Sequence, residues 1–323
     1  DGVGDDVHGG SSGGGAVVDV DVAGGGEGDG DGVGDDVAGG EVEGGGGGGG
    51  GASGGSLTVA GNVVINGNFT LGNAVGDDLI VGGSWTRAGS FNPNSRLVTF
   101  NGSATQTITG ATTFDYLTIN NASNVTLASP VTNNFTLDFT NGKLVLGSNN
   151  FTIGSGGTIT NPTLAKYVVT NGTGKLIKVG VGNVATVFPI GFTTSNYTPI
   201  TLTNTSGTSD LSVGVKQTIT NAVSDPTKIV TLEWGITSSA NTTATITPNW
   251  INATPINQAI SFTNTGTGEL GNYTTNYTTY PVTLSTTTTT RAEVALQNST
   301  NLIVIGNTGA LNSPFLAVTG TIT

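Results

Sequence analysis

Between residues 56 and 163 the chain repeats short triplets in which two apolar residues flank a central residue that is usually threonine. Successive side chains of a strand point to opposite sides, so the outer residues of each triplet face one way. The pattern predicts short strands that bury the apolar pair and expose threonine, a good strand former. The triplets are LTV from Leu57, LIV from Leu79, VTF from Val98, LTI from Leu117, LVL from Leu144 and FTI from Phe151.

The triplets also recur with a longer period. Successive equivalent residues are separated by 22, 19, 19 and 20 positions in the series Leu57, Leu79, Val98, Leu117 and Leu137. A repeat of about 20 residues with several short strands is typical of a solenoid. Asn-Gly pairs between the strands also suit antiparallel hairpins, which are the alternative. The near-constant spacing favours a parallel β-helix over residues 56–163, with Leu79, Val98 and Leu117 in register.

The period is lost near Pro162, and residues 164–323 carry longer alternating runs such as DLSVGVKQTI and KIVTLEWGIT. About ten such runs with turn-rich joints predict an antiparallel β-sandwich-like domain, so the chain as a whole is predicted to be all-β. Trp234 and Trp250 are predicted to lie in its core. A pair of tryptophans that stacks on a sugar is the alternative. No stretch carries the helical spacing of apolar residues without interruption.

The charge of the chain lies at one end. Residues 1–55 hold 12 of the 21 acidic residues and no lysine or arginine, which leaves 21 − 12 = 9 acids against 9 bases elsewhere. A neutral body without a basic cluster argues against nucleic acid as a partner. The longest apolar runs fall short of the ~18 residues of a membrane span. The chain has no cysteine, which excludes disulfides and thiolate metal sites.

Residues 1–55 form a segment of different composition, in which DGVGDDV occurs at 1–7 and again at 31–37. Three interpretations are open. The stretch DGDGVGDD at 29–36 partly matches a calcium loop but lacks a ligand at Val33. The segment also has the composition of a disordered acidic tail. The third interpretation, which we favour, is that Val and Asp stand for their isosteres Thr and Asn, which dominate the remainder.

Within this segment, AVVDVDVA at 16–23 alternates and predicts a strand. Glycine makes up 26 of the first 55 residues, and ordering glycine is costly in entropy. An ordered strand here needs partners for its backbone groups. We therefore expect it to add to a sheet edge of a neighbouring subunit, which gives an open-ended, head-to-tail polymer. The residues assigned to this assembly strand are Val17, Val18, Val20 and Val22.

The rungs offer little candidate chemistry. Asp115 and Asp138 lie 23 residues apart and can approach each other on adjacent rungs, but isolated solvated charges are the better interpretation. His8 is the only histidine, so a histidine-based triad is not expected. We predict no catalytic residue, no cofactor and no metal site.

Two stretches carry a family resemblance: TFNGSATQTITGATTFDYLTINNASNVTL, from Thr99, and YVVTNGTGKLIKVGVGNVATVFPIGFTTSNYTPITLTNT, from Tyr167. They resemble the large secreted surface proteins of Bacteroidota, which repeat F-N-G…Q-T-I…L-x-I-N-N rungs before a V-x-N-G-x-G…F-P-I-G module. The resemblance spans roughly residues 56–320. It implies secretion through the type 9 system and a place at the cell surface. Such proteins usually end in a sorting domain, so we expect that domain to be removed or to lie beyond this chain.

The function that the resemblance implies is that of an extracellular structural or adhesive protein, a filament or surface-fibre subunit. Its main partner is then another copy of the chain, with surface glycans as a second candidate. The alternative function is a carbohydrate-active or glycan-binding β-helix protein. A groove that gathers acidic and aromatic side chains would favour the alternative.

Overall fold

The computed structural model describes residues 55–250 and 258–311, together with three short strands of the N-terminal segment. The fold is all-β, as the sequence predicts: a parallel β-solenoid of about seven turns leads into antiparallel sheets. Within the described residues, helical structure is limited to a single 3-10 turn, Pro226–Lys228.

The solenoid is built from short strands, mostly of three or four residues, with three strands to a full rung. The N-terminal segment contributes β1 (Ala16–Val18), β2 (Asp36–Val37) and β3 (Gly40–Glu43). The following strands are β4 (Leu57–Val59), β5 (Val63–Ile65), β6 (Asn68–Thr70), β7 (Leu79–Val81), β8 (Trp85–Arg87), β9 (Ser90–Asn92), β10 (Leu97–Phe100), β11 (Gln106–Thr109), β12 (Thr112–Asn120), β13 (Val125–Leu127), β14 (Val131–Asn141), β15 (Leu144–Val145), β16 (Phe151–Ile153) and β17 (Thr158–Thr160).

The predicted register of the rungs is confirmed. Leu57 pairs with Leu79, Leu79 with Val98, Val98 with Leu117 and Leu117 with Leu137, all in parallel. From Leu79 onward these side chains are buried. Each aliphatic residue therefore packs mainly on its equivalents one rung above and one rung below, which is how short strands make a continuous core.

Asparagine, aspartate and glycine hold the corners where the chain turns from one face to the next. Backbone N–H groups at a corner lie outside the ladders and need other partners. The Asp78 carboxylate accepts the Leu97 N–H at 2.9 Å, and the Asn124 side-chain oxygen accepts the Lys143 N–H at 3.0 Å. Gly142 has a φ of 74°, and a Cβ there would lie 1.7 Å from the carbonyl oxygen of Asn121. The Asn- and Gly-rich composition thus serves rung-to-rung contact.

The parallel ladder continues on both sides of residues 56–163. Strands β3 and β2 pair in parallel with β5 and β4, so the N-terminal segment adds strands to the same two sheets. Beyond residue 163, Leu144 pairs with Val168, Val168 with Ile190 and Phe151 with Leu176. The predicted boundary at 163/164 therefore falls inside the ladder. Loops of unequal length remove the 20-residue spacing there, while the register persists.

Five strands connect the solenoid to the antiparallel part of the molecule. They are β18 (Val168–Val169), β19 (Leu176–Val181), β20 (Thr186–Phe188), β21 (Ile190–Thr193) and β22 (Asn196–Tyr197). Strand β19 makes the connection because it pairs in parallel with β16 on one side and antiparallel with β24 (Ser209–Lys216) on the other. One large sheet thus runs from the solenoid into the sandwich-like part.

The sandwich-like part completes this large sheet and adds a second one. Its other strands are β23 (Ile200–Asn204), β25 (Glu233–Ser238), β26 (Thr242–Pro248), β27 (Gly266–Tyr273), β28 (Tyr277–Leu284), β29 (Arg291–Leu296) and β30 (Thr300–Asn307). The strand orders are β19-β24-β25-β30-β27-β28 in the large sheet and β20-β23-β26-β29 in the smaller one. Trp234 and Trp250 are fully buried, as predicted, so neither ring can stack on a ligand.

Tyrosines are packed where the solenoid meets the antiparallel sheets. The Tyr167 hydroxyl donates to the Thr193 carbonyl at 2.8 Å, and its ring lies 5.1 Å from that of Tyr197. Burial raises the pKa of Tyr197 to about 12 and raises the pKa of Tyr167 as well. Burial, with smaller contributions from Glu233 and Tyr273, raises the pKa of Tyr277 to about 12.

These tyrosines predict a loss of stability in alkali. An unfolded tyrosine ionises near pH 10, whereas the folded protein keeps its protons to about pH 12. The unfolded state loses protons first, so we expect the free energy of unfolding to fall from about pH 10 to 12. Urea unfolding across that range measures it. Tyr197→Phe should reduce the fall, while Tyr116→Phe, at an exposed position, should not. Equal slopes for both variants would contradict the assignment.

Candidate functional site: sheet edges and polar clusters

Strand β1 lies at the end of the ten-stranded sheet of the solenoid. It pairs in parallel with β3 of its own chain, Ala16 opposite Gly40 and Val18 opposite Val42. No other described strand pairs with its second edge. Val17 and Val18 of the predicted assembly strand belong to β1, whereas Val20 and Val22 lie outside the described residues. Addition of the second edge to a neighbouring subunit stays a prediction.

The edges β28 and β29 of the antiparallel sheets are protected against pairing. Pro281 stands in β28, where it cannot donate to an added strand. The carbonyls of Pro281 and Thr283 already accept bonds from Arg291 Nη1 at 3.4 Å and Thr289 Oγ1 at 2.8 Å. In β29, Glu293 has a φ of 61°, an irregularity that interrupts the edge. Proline, charge and irregular backbone are the usual means of protecting edge strands.

Strand β20 is an edge of the smaller sheet without such protection. Among the described strands it pairs only with β23. Val187 in this strand is 49% exposed, and Val184 just before it is 76% exposed. The sequence has no charged residue between Lys178 and Asp210, so no side chain nearby repels an incoming strand electrostatically. Of the edges of the smaller sheet, β20 is therefore the more open to strand addition.

Asp115, one of the two candidate acids, lies at a corner between β12's two halves and is 9% exposed. Its carboxylate accepts the Ser95 N–H and the Asn134 side-chain N–H, both at 2.7 Å. These bonds tie three successive rungs together. The local chemistry is that of a corner bond rather than of an acid poised for proton transfer.

Asp138, the second candidate acid, points outward from the solenoid and accepts bonds from Thr160 Oγ1 and Asn161 Nδ2, each at 2.6 Å. It pairs in register with Thr118, which lies three residues along β12 from Asp115. That offset corresponds to about 10 Å along the strand. The fold therefore places the two carboxylates on adjacent rungs but gives each its own partners.

A buried charge cluster that the sequence did not predict lies on the outer face of the large sheet. Glu233 is fully buried, and its carboxylate receives the Lys216 ammonium at 3.0 Å and the Thr220 N–H at 2.8 Å. Burial lowers the pKa of the neighbouring Lys175; Lys216 lowers it further and Glu233 opposes both. A Cβ at Gly214 would lie 2.6 Å from the Lys175 nitrogen, so glycine makes room for the lysine. Only strand register brings these residues together.

Two surveys of the described residues complete the picture. Histidine, aspartate and glutamate do not gather in threes at metal-binding distance anywhere in the described ranges. None of their helical structure has the length and apolar character needed to cross a bilayer. His8 lies outside the described residues.

No protein-family model, curated protein or solved structure matches the chain. The resemblance to Bacteroidota surface proteins rests on the sequence motifs alone.

Proposed function

We propose that this chain is a subunit of an extracellular structural or adhesive fibre on a bacterial surface, and that it polymerises head to tail through its sheet edges. The observation that carries the proposal is the position of β1. It closes the solenoid ladder at one end and has one edge paired within its own chain. A parallel ladder whose last strand keeps an edge available is extended by any strand that matches it.

The acceptor that we propose is β20 of the next copy. It lies beyond the opposite end of the solenoid, it is uncharged, and its valines are exposed. Contact between β1 of one copy and β20 of the next uses two different surfaces, so it does not close on itself and gives an open polymer. Main-chain hydrogen bonds supply the attachment, and the exposed valines add apolar contact.

The surface and the sequence motifs support an extracellular structural role. The outward positions of the rungs are mostly threonine and asparagine, and the body from residue 56 onward is electrically neutral. The chain has neither cysteine nor methionine, so no sulfur is exposed to oxidation outside the cell. The motif resemblance to secreted Bacteroidota surface proteins favours the same location.

Replacing Val187 with lysine tests the acceptor edge. A lysine on an edge strand opposes pairing because its charge would have to be desolvated. We expect Val187→Lys and deletion of residues 1–55 each to convert polymer into monomer, as measured by sedimentation and electron microscopy. Val75→Lys is the matched control: Val75 is 89% exposed on the solenoid, and the charge change is the same.

The proposal requires that the control variant polymerise like the parent chain. If Val187→Lys assembles normally while the deletion does not, the acceptor is another edge. Unchanged filaments from the truncated chain would show that β1 has no part in assembly and would overturn the proposal.

A further inference from the structure

Tyr116 and Phe135 form a stacked pair on the surface of the solenoid. Their ring centroids lie 5.1 Å apart with an interplanar angle of 32°. Tyr116 is 36% exposed and Phe135 is 41% exposed, and they are the only exposed aromatic residues in the described part of the chain. Exposed rings stand out here, because the other outward positions of these rungs are mostly threonine and asparagine.

A local irregularity turns Phe135 outward. In β12 and β14, Phe114 pairs with Asn133 and Tyr116 with Thr136, so β14 has one more residue than β12 between the two pairs. The alternation of Phe135 with the buried Leu137 would otherwise place its ring inside. An extra residue that re-aims a side chain is a common feature of binding surfaces. The exposed ring is built into the register of the solenoid.

The next rung leaves the stack open beyond Phe135. Its corner is Ser155-Gly156-Gly157, and a Cβ built on Gly156 would meet no atom within 4 Å. The Lys178 ammonium donates to the carbonyls of Gly154 and Ser155 at 2.6 and 2.7 Å, which holds this corner in place. The position that would continue the Tyr116–Phe135 stack therefore contains no side chain on Gly156 or Gly157.

Polar groups lie beside the rings on the same outward face. Thr118 and Asp138 pair with each other two residues along the strands from Tyr116 and Thr136. The charged groups of this surface are carboxylates, Asp115 at the corner and Asp138 on the face. Hydroxyl and carboxylate oxygens accept hydrogen bonds from sugar hydroxyls, whereas negative charge disfavours acidic sugars.

We propose that Tyr116 and Phe135 form a binding platform for a neutral polysaccharide, with a hexopyranose ring stacked on Phe135 over Gly156 and Gly157. The face of an aromatic ring is electron-rich and attracts the C–H groups that line one side of a pyranose. The polar face around Thr118 and Asp138 receives the sugar hydroxyls. This site does not depend on head-to-tail assembly.

Affinity electrophoresis of the full chain in gels that contain xyloglucan, mixed-linkage β-glucan, galactomannan or dextran tests the platform. We expect at least one of these polymers to retard the protein. Phe135→Ala and Tyr116→Ala should each weaken the Kd by about tenfold, the usual scale for loss of an aromatic contact. Phe135→Trp should keep binding.

Two further variants separate the platform from the fold. Gly156→Leu leaves both rings in place but fills the proposed sugar position, so it should abolish retardation while the circular dichroism spectrum is unchanged. Leu164→Ala changes another exposed apolar side chain, 55% exposed, and should bind like the parent chain. Lack of retardation in all four polymers would overturn the proposal, as would equal binding by the Phe135→Ala variant. Altered sedimentation of Phe135→Ala without polysaccharide binding would identify the pair as a contact between copies instead, and would also overturn it.

Discussion

Leu117→Asp is expected to unfold the solenoid. Leu117 is fully buried and is paired on either side with Val98 and Leu137, which are fully buried as well. A carboxylate in this column would have aliphatic neighbours above and below and no hydrogen-bond donor. Burying an unpaired charge costs several kcal/mol or more, a large part of the 5–15 kcal/mol that typically stabilises a protein. Circular dichroism and limited proteolysis of the purified variant measure the loss.

The matched control is Thr99→Asp, in the outward column of the same face. Thr99 pairs with Thr118, and two rungs further on this column already holds Asp138. A carboxylate at residue 99 can stay solvated, so we expect it to change the free energy of unfolding by less than about 1 kcal/mol. If the two variants were equally stable, the inward and outward assignment of the triplets would be wrong.

The second large effect is expected from Trp85→Ala. Trp85 is fully buried among Phe91, Phe100 and Phe114, with ring centroids 4.8, 6.4 and 5.4 Å away, and its indole N–H donates to Thr112 at 3.1 Å. Truncation leaves a cavity that solenoid rungs, fixed by their ladders, cannot close. We expect a loss of about 3–5 kcal/mol and a Tm lower by roughly 10 °C.

Trp85→Phe serves as the control because it keeps an aromatic ring in the cluster and removes only the hydrogen bond and part of the volume. Thr112 retains its bond to the Gly110 carbonyl at 2.8 Å, so the lost partner leaves no unsatisfied hydroxyl donor. Calorimetry should place this variant between the parent chain and Trp85→Ala. A Trp85→Ala protein with unchanged Tm would contradict the packing of the four rings.

The sequence predicts the rungs well because a solenoid repeats one local rule. Alternation within a triplet sets which side chain faces inward, and the spacing from Leu79 to Leu117 sets the register. Both are local signals that a chain carries in its order of residues. Burial of Trp234 and Trp250 could be predicted for a similar reason, since strands that alternate place large apolar residues on one face.

The end of the ladder could not be predicted, because strand pairing and spacing become independent there. Val168, Leu176 and Ile190 pair in parallel with earlier rungs although loops of unequal length separate them. The order of the antiparallel strands is equally non-local. Strand β25 pairs with β24 and with β30, more than 60 residues later. The cluster around Glu233 depends on such pairings and therefore has no signature in the sequence.

The surface pair was missed for a different reason. By alternation alone, Phe135 belongs with Leu137 and Phe139, which are both fully buried. The change of register between Phe114 and Tyr116 reverses its direction. A signal was present in the comparison of rungs, since the stretch from Asn133 to Thr136 is one residue longer than that from Phe114 to Tyr116. Aligning successive rungs residue by residue would have exposed it.

The arrangement of the ladders also determines how the solenoid would respond to a pulling force. Its strands run across the long axis, so the hydrogen bonds between rungs lie along that axis and carry tension directly. Under load they would separate one rung at a time rather than all together. Each detached rung of about 20 residues would release roughly 65 Å of chain. A tether built in this way lengthens in steps and dissipates energy at each one, so a sudden pull need not break the attachment.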